Sequence, residues 1–202
     1  MDADAIELRV LGCLIEKQRT TPDAYPLSLN SLRLACNQST NREPVVDYDE
    51  RTIRAALDRL AQKGWTRLAS GAGSRTVKFR HLFDEAVRVS DEEIAVLCVL
   101  MLRGPQTPGE LKQRTPRLHG FASVDEIERV LDDLSARELA ARLPRRPGQK
   151  EQRYGHLLGD ESAEAAPAPA VESDRLTQVE RELHELREAV ATLRAELAAL
   201  RD

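Results

Sequence analysis

An internal repeat constrains this chain most: one order of three amphipathic helical segments and a strand pair occurs twice. Core-type and acidic positions of the third helical segment agree between the copies, with Ile53, Leu57, Asp58 and Leu60 matching Ile127, Leu131, Asp132 and Leu134. The last strands agree too, Phe79-Arg80-His81-Leu82 matching Tyr154-Gly155-His156-Leu157. Three helices and a hairpin are the order of a winged helix. The sequence therefore predicts a mainly α fold with small β-wings (α+β), built from two tandem winged-helix domains.

The repeat and the composition of the remaining chain give the predicted boundaries. We assign the first winged-helix domain to residues 1–83 and the second to 84–158. Residues 159–172 are rich in Pro, Ala and Glu, a composition typical of a disordered linker. Residues 173–202 form the predicted C-terminal coiled-coil helix.

Heptad spacing supports that last assignment, because apolar residues there alternate at intervals of three and four. The predicted seam consists of Leu176, Val179, Leu183, Leu186, Val190, Leu193, Leu197 and Leu200. Charged residues beside the seam match in a parallel pair, so we expect a homodimer. The alternatives are an antiparallel pair or a helix that folds back on its own winged helices.

Capping residues mark the predicted helix ends. Asp49 is placed to cap a helix over 49–63, and Gly64 suits the left-handed position after it. Ser or Thr followed three residues later by Glu predicts three capping boxes, at Ser90 with Glu93, Thr107 with Glu110 and Ser123 with Glu126.

The helix over 49–63 and the hairpin after it are the predicted DNA-reading element. Ile53, Ala56, Leu57 and Leu60 form one apolar stripe, so arginines on the opposite face are free to meet base edges and phosphates. With the basic residues of both wings, the predicted DNA contacts are Arg51, Arg54, Arg59, Lys63, Arg75, Lys78, Arg80, Arg145, Arg146 and Lys150. The alternative is that these charges are only a solvated face.

The second copy reverses this charge. Asp125, Glu128 and Asp133 occupy the positions of Arg51, Arg54 and Arg59, and phosphates would repel them. The charge of the acidic helix 124–137 therefore predicts that it binds a protein partner or the other domain, and not DNA. Two hypotheses follow: a dimeric duplex-DNA-binding regulator, or a scaffold whose winged helices dock proteins.

A polar loop precedes the third helix of the first copy. Its amides and its arginine, Asn37, Gln38, Asn41 and Arg42, suit phosphate or adenine contacts. Equally, such side chains cap helices and tie tight loops together. Both readings stay open at this point.

Composition and the absence of known motifs argue against several classes of function. The net charge is −4, and residues 159–202 contribute 11 acidic and 5 basic side chains, so the acidity lies in the tail. No nucleophile motif, phosphate-binding glycine loop or His–Cys ligand spacing occurs, so we expect no enzyme, cofactor or metal. Cys13 and Cys98 lie in apolar helical runs, where we expect buried free thiols. Together with the lack of an export or membrane signal, they predict a cytoplasmic protein.

Five motifs resemble the bacterial YceH family: residues 25–32, 35–38, 41–45, 102–104 with 106–111, and 153–157. The resemblance covers roughly residues 5–158 strongly and the helical tail loosely. It implies a tandem winged-helix fold in a bacterial cytoplasmic protein and carries no established activity. Ser39-Thr40 and Arg146 depart from the family pattern. The first departure makes the polar loop less basic and the second makes the second wing more basic.

Overall fold

The structure is a computed structural model that describes residues 2–69, 76–145 and 151–159. These residues are mainly helical with small antiparallel sheets, so the predicted α+β class is confirmed. The predicted linker from residue 160 onward and the coiled-coil helix 173–202 lie outside the described residues. Within the described ranges, no helix is both long and apolar enough to cross a bilayer.

The first half follows the predicted order, with one added strand. Its elements are α1 (Ala5–Thr20), a 3-10 turn (Pro22–Ala24), β1 (Leu27–Ser28), α2 (Leu29–Cys36), α3 (Glu50–Gln62), β2 (Thr66–Leu68) and β3 (Lys78–His81). The second half opens with a short helix that the sequence did not predict. Its elements are α4 (Phe83–Val87), α5 (Asp91–Arg103), α6 (Pro108–Arg114), α7 (Val124–Ala136), β4 (Ala140–Arg142) and β5 (Tyr154–His156).

Local capping explains where most of these helices begin. The Asp49 carboxylate accepts from the Thr52 amide at the start of α3, and Gly64 after its end has φ +73°, as predicted. The boxes at Ser90 and Thr107 are confirmed. The box at Ser123 is only half right: Ser123 caps the Glu126 amide, but the Glu126 carboxylate accepts from the Ala122 amide at 2.7 Å.

The two sheets are built alike. In the first, β3 lies between β1 and β2, and both neighbours are antiparallel to it, with Leu27 opposite Phe79 and Thr66 opposite His81. In the second, β4 pairs antiparallel with β5. A single bridge from Gln106 to Tyr154 takes the place that β1 has in the first sheet.

The predicted apolar stripes are buried. Those of α3 (Ile53, Ala56, Leu57, Leu60) and α7 (Ile127, Val130, Leu131, Leu134) lie in one continuous hydrophobic core. All three cysteines are buried free thiols, as expected for Cys13 and Cys98.

The two halves meet where α1 packs against α5. Val10, Leu11, Leu14 and Ile15 of α1 are fully buried. Gly12 lets the helices approach closely, because a Cβ there would stand 2.9 Å from Leu102 side-chain atoms. The predicted boundary after residue 83 falls at the first residue of α4, inside this single compact unit.

Candidate nucleic-acid interface

The outward face of α3 presents two arginines to solvent. Arg51 and Arg54 are exposed, as are Ala55, Asp58 and Gln62 on the same face. Neither arginine forms a salt bridge with a described residue. Hydrogen bonds with Thr52 lower the pKa of the Asp49 carboxyl, and the positive charge of nearby Arg51 adds to this effect. The Arg54 guanidinium lies 5.9 Å from the centre of the Phe79 ring, a cation–π contact that joins α3 to β3.

Two other predicted contacts on this helix are neutralised by the chain's own N-terminal residues. Arg59 lies 2.6 Å from the Asp4 carboxylate and 3.5 Å from that of Glu7. Lys63 lies 3.5 Å from the same Glu7 carboxylate and donates to the Asp2 carbonyl at 2.9 Å. Among the described residues, the cations of α3 without a salt bridge are therefore Arg51 and Arg54, in its N-terminal half.

The first hairpin is basic but unevenly so. Arg67 is exposed and Lys78 is half-buried, whereas Arg80 lies 3.6 Å from the Glu85 carboxylate. Arg75 lies outside the described residues. Two large apolar side chains flank the undescribed turn, with Leu68 62% exposed and Val77 46% exposed.

In the second half, the predicted contacts are described only in part. Arg145 is exposed, while Arg146 and Lys150 lie outside the described residues. Arg142 on β4 is held by Tyr154: its guanidinium lies 5.6 Å from the ring centre and donates to the hydroxyl at 3.0 Å. Hydrogen bonding with Tyr154 raises the pKa of Arg142.

The acidic residues of α7 lie on its solvent-facing side. Asp125, Glu128, Asp132 and Asp133 are all exposed. None of them forms a salt bridge within the part of the chain that is described. The exposed face of α7 is thus acidic, whereas that of α3 carries Arg51 and Arg54 beside the exposed acids Glu50 and Asp58.

The polar loop after α2 divides into internal and external side chains. The Asn37 amide donates to the Tyr48 carbonyl at 2.8 Å, and its oxygen accepts from the Tyr48 amide at 2.9 Å. Arg42 is buried and donates to both carboxylate oxygens of Glu16, at 3.0 and 2.6 Å. The other amide hydrogen of Asn37 goes to Asp47, and the remaining N–H groups of Arg42 go to Ala35, Asn41 and Gln38. Neither side chain therefore has donors left for a phosphate.

Glu16 responds to this arrangement. Burial raises its pKa, but hydrogen bonds and charge from Arg42 outweigh burial, so the net effect is a lowered pKa. Gln38 accepts from Arg42 at 2.9 Å, and the Asn41 side-chain oxygen accepts from Arg103. Gln38 and Asn41 also line a cleft between α1, α5 and the chain after α6.

Histidines at the ends of the equivalent strands β3 and β5 are both buried. His81 lies 3.4 Å from Asp84 and contacts the Gln18 amide oxygen. Burial lowers the pKa of His81 and of His156 to about 4, so both are neutral near pH 7. Their matching positions in the sequence indicate a repeated packing or hydrogen-bonding role.

Three side chains that could bind a metal ion lie together, although their spacing in the sequence did not predict it. Glu92 is on α5, His119 is in the chain after α6, and Glu126 is on α7. Each places one potential metal-ligand atom within 4.8 Å of the others. His119 and Glu92 are 4.0 Å apart, and Glu126 already accepts from the Ala122 amide. Only the fold brings these residues together, because they are 7 to 34 positions apart in the chain.

The comparisons with known proteins cover nearly the whole chain. Residues 3–149 match the family described as "Protein of unknown function, DUF480". A UPF0502 protein of Serratia proteamaculans (strain 568) is 47% identical, over 98% of this chain and 95% of its own length. One from Opitutus terrae is 49% identical over 90% and 82%, and one from Shewanella sp. (strain ANA-3) is 42% identical over 100% and 95%. The chain therefore belongs to the DUF480 (UPF0502) family of bacterial proteins of unknown function.

Proposed function

We propose that this protein binds duplex DNA as a dimeric regulator, with α3 in the major groove and the β2–β3 hairpin as a wing against the backbone. The observation that carries the proposal is the exposed, unbridged pair Arg51 and Arg54 beside a hairpin whose described residues include no acid. Arginine is the side chain that most often reads guanine in the major groove, and basic hairpins bind phosphates. On this reading, each half is a winged helix, as the resemblance to the YceH family implies.

We propose fewer DNA-contacting residues than the sequence predicted. Arg51, Arg54, Arg67 and Lys78 carry them, because Arg59, Lys63 and Arg80 are offset by neighbouring carboxylates. Each phosphate contact contributes about −0.9 to the slope of log K against log salt concentration, so the slope should lie between about −2, if only Arg67 and Lys78 bind phosphates, and about −4, if all four side chains do. Two chains joined through the Leu176-to-Leu200 seam would present two such surfaces and a correspondingly steeper dependence.

A scaffold function is the second candidate, because the exposed acids of α7 are unpaired among the described residues. A partner with a basic surface would meet Asp132 and Asp133 there. Selective loss of a partner on substitution of both aspartates by lysine would favour this function. The scaffold function does not require DNA binding.

Selection from random duplex DNA at about 0.15 M salt tests the first proposal, since this ionic strength suppresses weak nonspecific binding. We expect an enriched sequence motif. The double variant Arg51→Ala with Arg54→Ala should bind that motif more weakly, by about 1–3 kcal/mol for each arginine that reads a base.

Arg129→Ala is the matched control. Arg129 is exposed on α7, at the position that corresponds to Ala55 of α3. Its removal should leave DNA binding unchanged. Failure to enrich any motif, or equal binding by the double variant and the wild type, would reject the assignment of α3 as the reading helix.

A further inference from the structure

A cleft in the described residues lies away from the outward face of α3 and the β2–β3 hairpin. Its walls come from α1, the loop after α2, the C-terminal end of α5 and the chain that ends and follows α6. Its volume is about 430 Å³, within the range of small-molecule sites. No residue of α3 or of either hairpin lines it, so it is separate from the proposed DNA surface.

Basic side chains from four chain segments or turns converge on this cleft: Lys17, Arg103, Arg114 and Arg117. The acidic lining residue is Glu16, and it is already bound by the buried Arg42 on both oxygens. The 3.2 Å contact of Lys17 with Glu16 therefore shares one carboxylate between two cations. The cleft keeps an excess of positive charge.

The arginines are only weakly offset by acids. Arg103 donates to the neutral amide oxygen of Asn41, and Arg117 forms no salt bridge within the described ranges. Arg114 lies 3.5 Å from Glu110, one turn away on the same helix. Burial and the charge of Arg114 lower the pKa of Arg103, which is the cost of holding like charges near each other. Such a cost is removed when an anion binds.

The remaining lining residues say what kind of anion fits. Gln38, Asn41 and Gln113 offer amide groups, while Val99, Leu102 and Leu118 offer an apolar wall. Guanidinium groups match phosphate oxygens in a bidentate geometry, and amides suit sugar hydroxyls. We propose that this cleft binds a small organic phosphate, through Arg103 and Arg117 at the phosphate and the amides at the attached polar group.

Direct binding to the full-length protein tests this without DNA. We would titrate inorganic phosphate, ribose 5-phosphate and adenosine monophosphate by calorimetry at about 0.15 M salt, where loose surface pairing is screened. At least one organic phosphate should bind saturably with a Kd below about 1 mM, more tightly than inorganic phosphate does. Malonate, a dicarboxylate of similar charge, should bind less well.

Variants locate the binding site. Arg117→Gln changes an exposed side chain, and with Arg103→Gln it should weaken phosphate binding by at least about tenfold, the effect of losing one charged hydrogen bond. Arg129→Gln, which lies on α7 outside the cleft, should bind as the wild type does. Circular dichroism shows whether the variants keep their fold, and Arg117→Gln alone provides the test if the double variant does not.

Three results would overturn the proposal. They are no saturable binding of any organic phosphate up to about 10 mM, equal affinity in the wild type and the cleft variants, and tighter binding of malonate than of every phosphate. Because none of the expected results requires DNA binding, the cleft and the proposed regulator function succeed or fail independently.

Discussion

Replacing Arg42 by alanine should destabilise the protein more than replacing any exposed arginine. Its side chain is 0% exposed and makes five hydrogen bonds, as many as a guanidinium has N–H groups. Two bonds go to Glu16, and the others go to the Ala35 and Asn41 carbonyls and the Gln38 amide oxygen. The variant leaves a carboxylate that is only 15% exposed without its main partner.

The expected cost follows from that orphaned charge. Breaking a buried ion pair from one side costs about 3–5 kcal/mol, a large fraction of the 5–15 kcal/mol that holds a typical domain together. For a chain of this size each kcal/mol lowers Tm by about 2–4 °C, so Tm should fall by roughly 6–20 °C. Urea unfolding followed by circular dichroism gives the free energy, and calorimetry gives Tm.

Two further variants separate the charge effect from lost packing. Arg42→Met with Glu16→Gln removes both charges and keeps most of the volume, so it should recover a good part of the loss. Arg51→Ala, an exposed control, should change the free energy of unfolding by less than about 0.5 kcal/mol. A loss below about 1 kcal/mol for Arg42→Ala, or no recovery in the double variant, would refute the assignment of Arg42 as a buried structural cation.

The ion pair also carries a pH dependence. Because the pKa of Glu16 is lowered in the folded state, its contribution is fully present above the unfolded pKa of about 4.3 and is lost as pH falls through the folded pKa. The acid loss measured for the wild type should shrink in Glu16→Gln. An unchanged acid profile in that variant would place the titrating group elsewhere.

Three more predictions follow from buried groups and from the tail. The pKa of His81 and of His156 is about 4 in the folded protein, below the value of about 6.5 in the unfolded chain. Stability should therefore fall as pH drops from about 6.5 to 4, by up to roughly 3 kcal/mol per histidine. Urea midpoints across this pH range measure the loss, and a flat profile in the wild type would contradict it. Gly12→Ala should cost about 1–3 kcal/mol in urea unfolding, because the new methyl would stand 2.9 Å from Leu102; a stabilised variant would show that the helices adjust freely. Deleting 173–202 should convert a dimer into a monomer in sedimentation experiments, and an unchanged mass would reject the predicted seam.

Local signals in the sequence predicted local structure well. The Asp49 cap and the boxes at Ser90 and Thr107 join residues three positions apart, and the stop at Gly64 depends on a glycine's access to positive φ, so local sequence alone identifies them. Buried stripes on α3 and α7 followed from helical periodicity in the same way. Ser123 escaped the rule because the Glu126 carboxylate had a second amide, that of Ala122, within reach.

Contacts between distant segments were the part that the sequence could not supply. A helical wheel places Arg59 and Lys63 toward solvent, but it cannot show that the N-terminal residues Asp4 and Glu7 lie beside them. Composition likewise cannot tell a surface Arg42 from one that turns inward to Glu16. The cleft around Arg103 and Arg117 depends on the packing of four segments, and none of them has a distinctive spacing.

The close crossing of α1 and α5 bears on how this protein can be engineered. A fragment ending at residue 83 would expose to water the side of α1, around Gly12, that packs against α5. A fragment beginning at residue 84 would likewise expose Leu102 on α5. Neither half is then a portable module that can be grafted alone onto another chain. Changes of ligand preference are better made by resurfacing α3 or α7 in place, with the crossing left intact.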